Sequence, residues 1–292
     1  MDKRNVLLRI KLCPGIGLKG ENIIYDWISN HPNSDNLSLE EIQNCIVECL
    51  KANHLKYQRF IDNFKSSKLD EEVKINKTEN WICILDDHYP TQLKEMYLPP
   101  IVLFFRGNID LFFSPAMLGI VGSRKCSQYS ITAMKKIVTK TITNRYVIVS
   151  GLAAGVDTLG HQIALANNGK TIAVLGTGLN KNYPSSNKWL QRELENDNLI
   201  ISEYGLNDGP QKHHFVERNR IIAGLSHKLL VVEARMKSGS LITASLALQN
   251  DRDVLAIPGS IISGYSAGTN ALIAAGAQAC LDDKDLLGRI VI

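Results

Sequence analysis

Long apolar runs are missing from this 292-residue sequence, and with them any candidate for a membrane-spanning helix, which needs about 20 consecutive apolar residues. The opening Met1-Asp-Lys-Arg4 and the mixed stretch behind it lack the apolar core of a secretory signal. Cysteine pairing is missing too. Cys13, Cys45, Cys49, Cys83, Cys126 and Cys280 form no C-x-x-C pair, and none stands near a histidine at metal-ligand spacing, so no metal site is expected. Cys45 and Cys49, one turn apart on a helix, are read as packing residues. Reduced thiols without a targeting segment give the expectation of a cytoplasmic protein with no membrane partner.

Two nucleotide signatures are absent as well. There is no G-x-x-x-x-G-K-[ST], so ATP hydrolysis on a P-loop is not supported. The dinucleotide fingerprint is incomplete: Gly176-Thr-Gly178 runs on to Leu179-Asn-Lys181 without the third glycine. No cofactor is expected.

What is present is an ordinary globular composition, 45% hydrophobic and 21% charged, long enough for one large domain and a small one. The net charge of +4 permits a polyanionic partner without demanding one. Its distribution says more. Between Ile120 and Asp157, Arg124, Lys125, Lys135, Lys136, Lys140 and Arg145 occur with no carboxylate among them. For Lys135, Lys136 and Lys140 a solvated helix face is an equal reading.

The first part of the chain reads as short helices. Val6 to Leu12 is apolar, Pro14-Gly-Ile-Gly17 makes a turn, and Glu21 to Ser29 resumes helical spacing. Ser38 with Glu41 offers a capping box for a helix to about Leu50. The stretch Leu12–Gly20 is similar to a helix-hairpin-helix turn, with a plain turn between packed helices the stronger reading. The lysine-rich Lys65–Asn80 reads as a linker, which places a boundary near Lys77: a small helical domain of SAM or helix-hairpin-helix type over 1–77, and a second domain over 78–292.

From Trp81 the texture changes. Apolar runs at Val102–Phe105, Leu118–Val121, Tyr146–Val149, Ile172–Leu175, Leu199–Ser202, Leu229–Val232 and Val254–Ile257 alternate with helix-length stretches. The latter are Tyr129–Thr143, Leu159–Asn167, Ser186–Glu195, Arg218–Leu225 and Ser240–Gln249. Runs that are apolar throughout suit strands buried on both faces. Their alternation with helices predicts an α/β domain with a doubly wound, mostly parallel sheet.

In such sheets ligands bind beyond the carboxyl ends of the strands, and the glycines fall there. Gly122-Ser123-Arg124-Lys125 follows one strand, Gly151 and Gly155 another, Gly176 and Gly178 a third, and Ser238-Gly239-Ser240 a later one. A glycine at a strand-to-helix turn lets main-chain N–H groups reach an anion, and the helix N-terminus adds partial positive charge. Four such turns along one edge predict a phosphate-binding rim, with Arg124 placed to grip a phosphate. Asp157 or Thr158 is expected to cap the helix after Gly155. The segment Pro210–Arg220 sets Phe215 among Lys212, Arg218 and Arg220, beside Asn219. A ring between cations suits an unpaired strand, because bases stack on it at ~1–3 kcal/mol each while charges hold the backbone. An equal reading buries Phe215 and pairs Arg218 with a carboxylate such as Glu217 or Glu233.

Six ordered motifs resemble the DNA-processing protein A (DprA, or Smf) family. They are Ile120-Val-Gly-Ser-Arg-Lys125; Ser150–Asp157 with His161; Tyr183-Pro184; Phe215–Ile221; Ser238–Ala244; and Pro258-Gly259 followed by Gly268-Thr-Asn270. Asp86–Pro90 and Phe105-Arg-Gly107 lead in, and the match runs from about Trp81 to Asp283. The resemblance implies a Rossmann-like domain that binds single-stranded DNA and loads RecA recombinase onto it, displacing single-strand-binding protein, in natural transformation and recombination. It implies a homodimer, phosphate contacts from Gly122, Ser123 and Arg124, and a binding pocket shared by Lys212 and Phe215. The winged helix that ends many members is not expected here, since the chain stops about ten residues after Asp282. Asn270–Cys280, rich in Ala, is the candidate dimer contact, with a core helix as the alternative.

The rival class is a Rossmann-like enzyme that binds or cleaves nucleotides, with Asp157 and His161 as an acid/base pair. A helix-start carboxylate and a packed histidine explain the same residues, so no catalytic residue is expected.

Overall fold

The computed structural model describes residues 2–31 and 37–287. Five helices come first: α1 (Lys3–Leu12), α2 (Gly17–Asn30), α3 (Leu39–Ala52), α4 (Gln58–Phe64) and α5 (Ser67–Asn76). The start of α3 forms the capping box: the Ser38 hydroxyl accepts from Glu41 N at 3.2 Å, and Glu41 accepts from Ser38 N at 2.7 Å. The expected linker at Lys65–Asn80 is instead mostly α5. Ser66 caps it, Leu69 and Asn76 are buried, and Asp70 pairs with Arg9 of α1 at 2.7 Å. So thin an apolar stripe on a lysine-rich segment looks like solvent-facing chain until its partner helix is seen.

The sheet follows. Its strands are β1 (Asn80–Cys83), β2 (Val102–Gly107), β3 (Met117–Val121), β4 (Val147–Ser150), β5 (Thr171–Leu175), β6 (Leu199–Ser202), β7 (Lys228–Val231), β8 (Asp253–Ala256) and β9 (Gln278–Ala279). The helices are α6 (Thr91–Lys94), α7 (Gln128–Ile137), α8 (Lys140–Arg145), α9 (Val156–Ala166), α10 (Lys188–Asp197), α11 (Lys212–Leu225), α12 (Gly239–Gln249), α13 (Ala267–Ala274) and α14 (Asp283–Leu287). Strand order is β1-β2-β6-β5-β4-β3-β7-β8-β9, antiparallel across β1-β2-β6 and parallel from β6 to β9. The chain winds outward from β3 through β4 and β5 to β6. It then crosses back by α11 and lays β7 on the other side of β3. The switch point therefore lies between β3 and β7, where a cleft opens at the carboxyl ends.

Burial on both faces explains the uninterrupted apolar strands. Met117 and Val121 of β3 join a core shared with α1–α5, whereas Leu118 and Ile120 join a second core under α7, α8, α9 and α14. The expected helix Tyr129–Thr143 is two helices, because Thr139 caps α8 where Val138 ends the first. The expected helix at Arg218 starts six residues earlier, at Lys212. Among the described residues, no helix is long and apolar enough to cross a membrane.

Candidate nucleic-acid interface

Helical periodicity splits α11 into two working faces. Lys212, Phe215, Asn219 and Ile222 line a cleft of about 530 Å³ at the switch point. Its other walls are the turn after β3, with Gly122, Ser123 and Arg124, and the segment after β7, with Arg235 and Ser238-Gly239-Ser240. A smaller recess of about 160 Å³ continues from it beside Gly176 and Tyr183.

Phe215 is the hinge of this arrangement. A Cβ at Gly176 would stand 2.8 Å from its ring, so the glycine lets the phenyl group lie on the β5 turn. The Tyr183 ring faces it at 5.2 Å between centroids, and the Arg124 guanidinium sits 5.6 Å from its centre. Arg124 and Lys212 are exposed, and the Tyr183 side chain is 43% exposed. Apolar ring faces and exposed positive charges thus share one opening.

The main chain adds donors. The Ser123 hydroxyl accepts from Lys125 N at 3.1 Å, which folds the β3 turn back on itself. Among the described residues, no main-chain or side-chain group accepts from the N–H of Gly122, Ser123 or Arg124, nor from those of Gly239 and Ser240 in the first turn of α12. The Ser238 hydroxyl at the start of α12 is buried with no partner among the described residues. Two sets of unclaimed donors, one ending a strand and one opening a helix, therefore face a common space. Among the described residues, three exposed cations (Arg124, Lys212 and Arg235) line the cleft, with the buried Arg218 beneath them beside the one carboxylate of the lining, Asp157.

That carboxylate is internal. Asp157 is buried beside Gly151 and lies 4.0 Å from Arg218. Burial pushes its pKa up to about 6, against the pull of Arg218. Gly155, not Asp157, occupies the cap position of α9. His161 is fully buried: its Nε2 donates to the Gly151 carbonyl, and its Nδ1 lies 2.6 Å from the Thr171 hydroxyl, which itself donates to the Ile148 carbonyl at 2.8 Å. Burial holds its pKa down at about 4. Both members of the supposed acid/base pair are buried beside Gly151, and His161 is bonded to its carbonyl.

Several expected contacts are corrected. Arg218 lies under the cleft floor, donating to the Val174 carbonyl and to Asn219 Oδ1 at 3.2 Å, beside Asp157 and neither Glu217 nor Glu233. Arg220 turns away altogether: it grips Glu203 at 2.5 Å in a buried cluster with Lys11 and Glu21. Five residues along a helix is a rotation of about 140° from Phe215, so one helix cannot present both to the same ligand. Gly151 is consumed by close packing, since a Cβ there would stand 2.0 Å from Arg218 and 2.4 Å from Asp157. Gly155, at φ +84°, lets α9 approach the Ser123 carbonyl. Gly178 donates to the Asp208 carbonyl at 2.9 Å and backs onto Gly205, away from the cleft. Lys125 is exposed but outside the cleft lining.

Two cleft residues escaped the sequence reading. Tyr183 was present only as part of a motif. Arg235 follows β7, the strand at the switch point, and the rule that ligands meet the carboxyl ends there would have flagged it.

Fold and site together define a class: a Rossmann-like doubly wound α/β protein with a cationic, aromatic-lined cleft at its topological switch point. The profile of the DNA recombination-mediator protein A family matches residues 80–290, and the chain belongs to that family. DNA processing protein DprA of Streptococcus pneumoniae is 50% identical over 204 residues, spanning 70% of this chain and 72% of the relative. The X-ray structure of DNA processing protein A from Streptococcus pneumoniae superposes with a TM-score of 0.86 at 39% identity, covering 98% of this chain and 97% of that one. DNA processing protein A from Helicobacter pylori, solved to describe its single-stranded DNA binding mode, gives a TM-score of 0.62 at 30% identity over 73% of this chain and 96% of its own.

Proposed function

We propose that this protein binds single-stranded DNA in the switch-point cleft and acts as a recombination mediator, without chemistry of its own. The observation that carries the reading is Phe215: an accessible ring set between Tyr183 and Arg124, beside two turns of unclaimed main-chain donors. Unpaired bases stack on the rings. Arg124 and Lys212, with the amides of Gly122, Ser123, Gly239 and Ser240, hold the phosphates, and Asn219 and Arg235 complete the wall. A duplex keeps its base faces covered and gains only the phosphate contacts.

Beyond DNA, the reading includes loading of RecA recombinase onto the bound strand, displacement of single-strand-binding protein, and a role in natural transformation in the cytoplasm. It takes the protein as a homodimer. Asn270–Cys280 is its candidate contact: residues 274–276 are exposed, Leu272, Ile273 and Ala277 pack partly against one core, and Cys280 is buried in the other. It treats residues 1–77 as a small helical domain ahead of the DNA-binding one. Membership of the DNA recombination-mediator protein A family and the single-strand binding of the Helicobacter pylori relative support the DNA-binding part of this reading.

Fluorescence anisotropy with a labelled oligothymidylate across a salt series tests it. For the parent, log affinity should fall against log salt with a slope of about −0.7 per phosphate neutralised. Arg124→Ala and Lys212→Ala should each flatten that slope, whereas Phe215→Ala should lower affinity with little change of slope. A Phe215→Ala variant that binds like the parent sinks the stacking assignment.

A further inference from the structure

The cleft does not end at the first aromatic pocket. On its far wall Arg235 is exposed, and its guanidinium lies 4.1 Å from the centre of the Tyr265 ring. Tyr265 stands in the loop after β8, where nothing in the strand pattern calls for an aromatic residue. The loop is tied down at its base. Gly259 and Asn270 exchange two hydrogen bonds, at 3.1 and 3.0 Å, and Gly268 N donates to the Ala234 carbonyl at 2.7 Å. That last bond locks the loop to the residue before Arg235. A Cβ at Gly268 would stand 2.7 Å from the same carbonyl, so glycine permits the approach. Tyr265 N in turn bonds the Ser263 hydroxyl at 3.3 Å.

A braced ring under a guanidinium makes a flat, positively charged plate. Free arginines on a surface sample many rotamers; this one is held against an aromatic face, so little order is lost when something stacks on it. Arg235 and Phe215 line the same cavity. Between them lies the unclaimed N-terminus of α12, with Gly239, Ser240 and the unpartnered Ser238 hydroxyl. A strand whose base rests on Phe215 and whose next phosphate meets those amides is delivered to the Arg235 plate.

We infer that Arg235, seated by Tyr265, forms a second base-stacking platform that extends the strand-binding site past the start of α12 and sets how many nucleotides it holds. The inference rests on the single-strand reading above and deepens it. Ile261 and Ile262, each 94% exposed at the tip of the same loop, offer the competing use of this region as a protein contact.

The test is the length dependence of binding, with labelled oligothymidylates from about three to about twelve nucleotides, on the full chain and on Tyr265→Ala, Tyr265→Phe, Arg235→Ala and Phe215→Ala variants. Parent affinity should climb with length. Tyr265→Ala should bind the shortest oligomer like the parent and the longest about 5- to 150-fold more weakly, the loss of one stacked base. Tyr265→Phe should restore the climb. Arg235→Ala should lose it and also reduce the salt slope by about 0.7 for long oligomers only. Phe215→Ala should weaken every length; if it weakens none, the single-strand reading itself is wrong. If Phe215→Ala behaves as expected but Tyr265→Ala follows the parent at all lengths, or weakens all equally, the second platform is overturned. A Tyr265→Ala variant that sediments as a smaller species with an unchanged length profile assigns the loop to protein contact and overturns it too.

Discussion

Phe215 and His161 show how differently a residue can serve the same cleft. Phe215 is there to be touched. His161 is sealed beneath, bonded to the Gly151 carbonyl with Asp157 buried close by, and that buried pair carries opposing proton linkages. The folded pKa of His161 lies near 4 against an ordinary 6.5. The unfolded chain therefore binds more protons in that window, and stability from this group, complete above 6.5, is lost as pH falls toward 4. The folded pKa of Asp157 is raised from 3.8 to about 6, so its contribution runs the other way, growing as pH falls and vanishing as pH rises through about 6. Replacing His161 with Gln removes only the first effect. The stability difference between His161→Gln and the parent should shrink as pH drops from 6.5 to 4, by up to about 1.4 kcal/mol per pH unit. Chemical denaturation at half-unit pH steps measures it. A difference that stays constant with pH would mean the histidine is not held neutral.

At the scale of elements, α11 is where binding and stability meet. One face carries Lys212, Phe215 and Asn219; the other sends Arg220 into the Glu203 carboxylate, which also takes Lys11 from α1 at 3.1 Å. The pairing with Lys11 and Arg220 draws the Glu203 pKa below the usual carboxylate value despite complete burial. Glu203→Gln leaves two buried cations with Glu21 alone, and breaking such a pair costs about 3–5 kcal/mol. The thermal midpoint should fall by about 6–20 °C. Oligonucleotide affinity, measured where the variant is still folded, should stay within about twofold of the parent. A variant of parental stability that no longer binds would put Glu203 in the site instead. This two-sidedness is what the sequence could not show. Burial on both faces wrote the inner strands plainly as apolar runs, and the Ser38–Glu41 pair announced α3. The edge strand β1 was missed because Asn80 opens it and only four residues form it, and β9 has only two. The start of α11 was hidden because His213 and His214 carry no apolar period. Arg218 and Arg220 read as cleft cations because spacing gives no sight of Asp157 or Glu203, which approach from elsewhere in the chain. The glycines misled in the same way: Gly122 does line the cleft, whereas Gly151, Gly155 and Gly178 are there for close packing.

For the molecule as a whole, a net charge of +4 is too small to draw in nucleic acid by field alone. The account therefore rests on concentration: the exposed cations Arg124, Lys212 and Arg235 and two stretches of unclaimed amides at one edge, with the aromatic rings inside them. The helices before the sheet share a core with one of its faces, from Leu7 and Ile24 through Phe104 to Leu199, and they brace α11 from behind through Lys11. They give the cleft a rigid back wall. Such a site should distinguish strands by whether bases are free to stack. The most direct measurement is the affinity of the full chain for a labelled oligothymidylate and for a duplex of equal length, taken across salt. The single strand should bind more tightly at every salt concentration, and the gap should widen as salt rises, because stacking persists while phosphate contacts are screened. Equal affinities, or a preference for the duplex, would contradict the account.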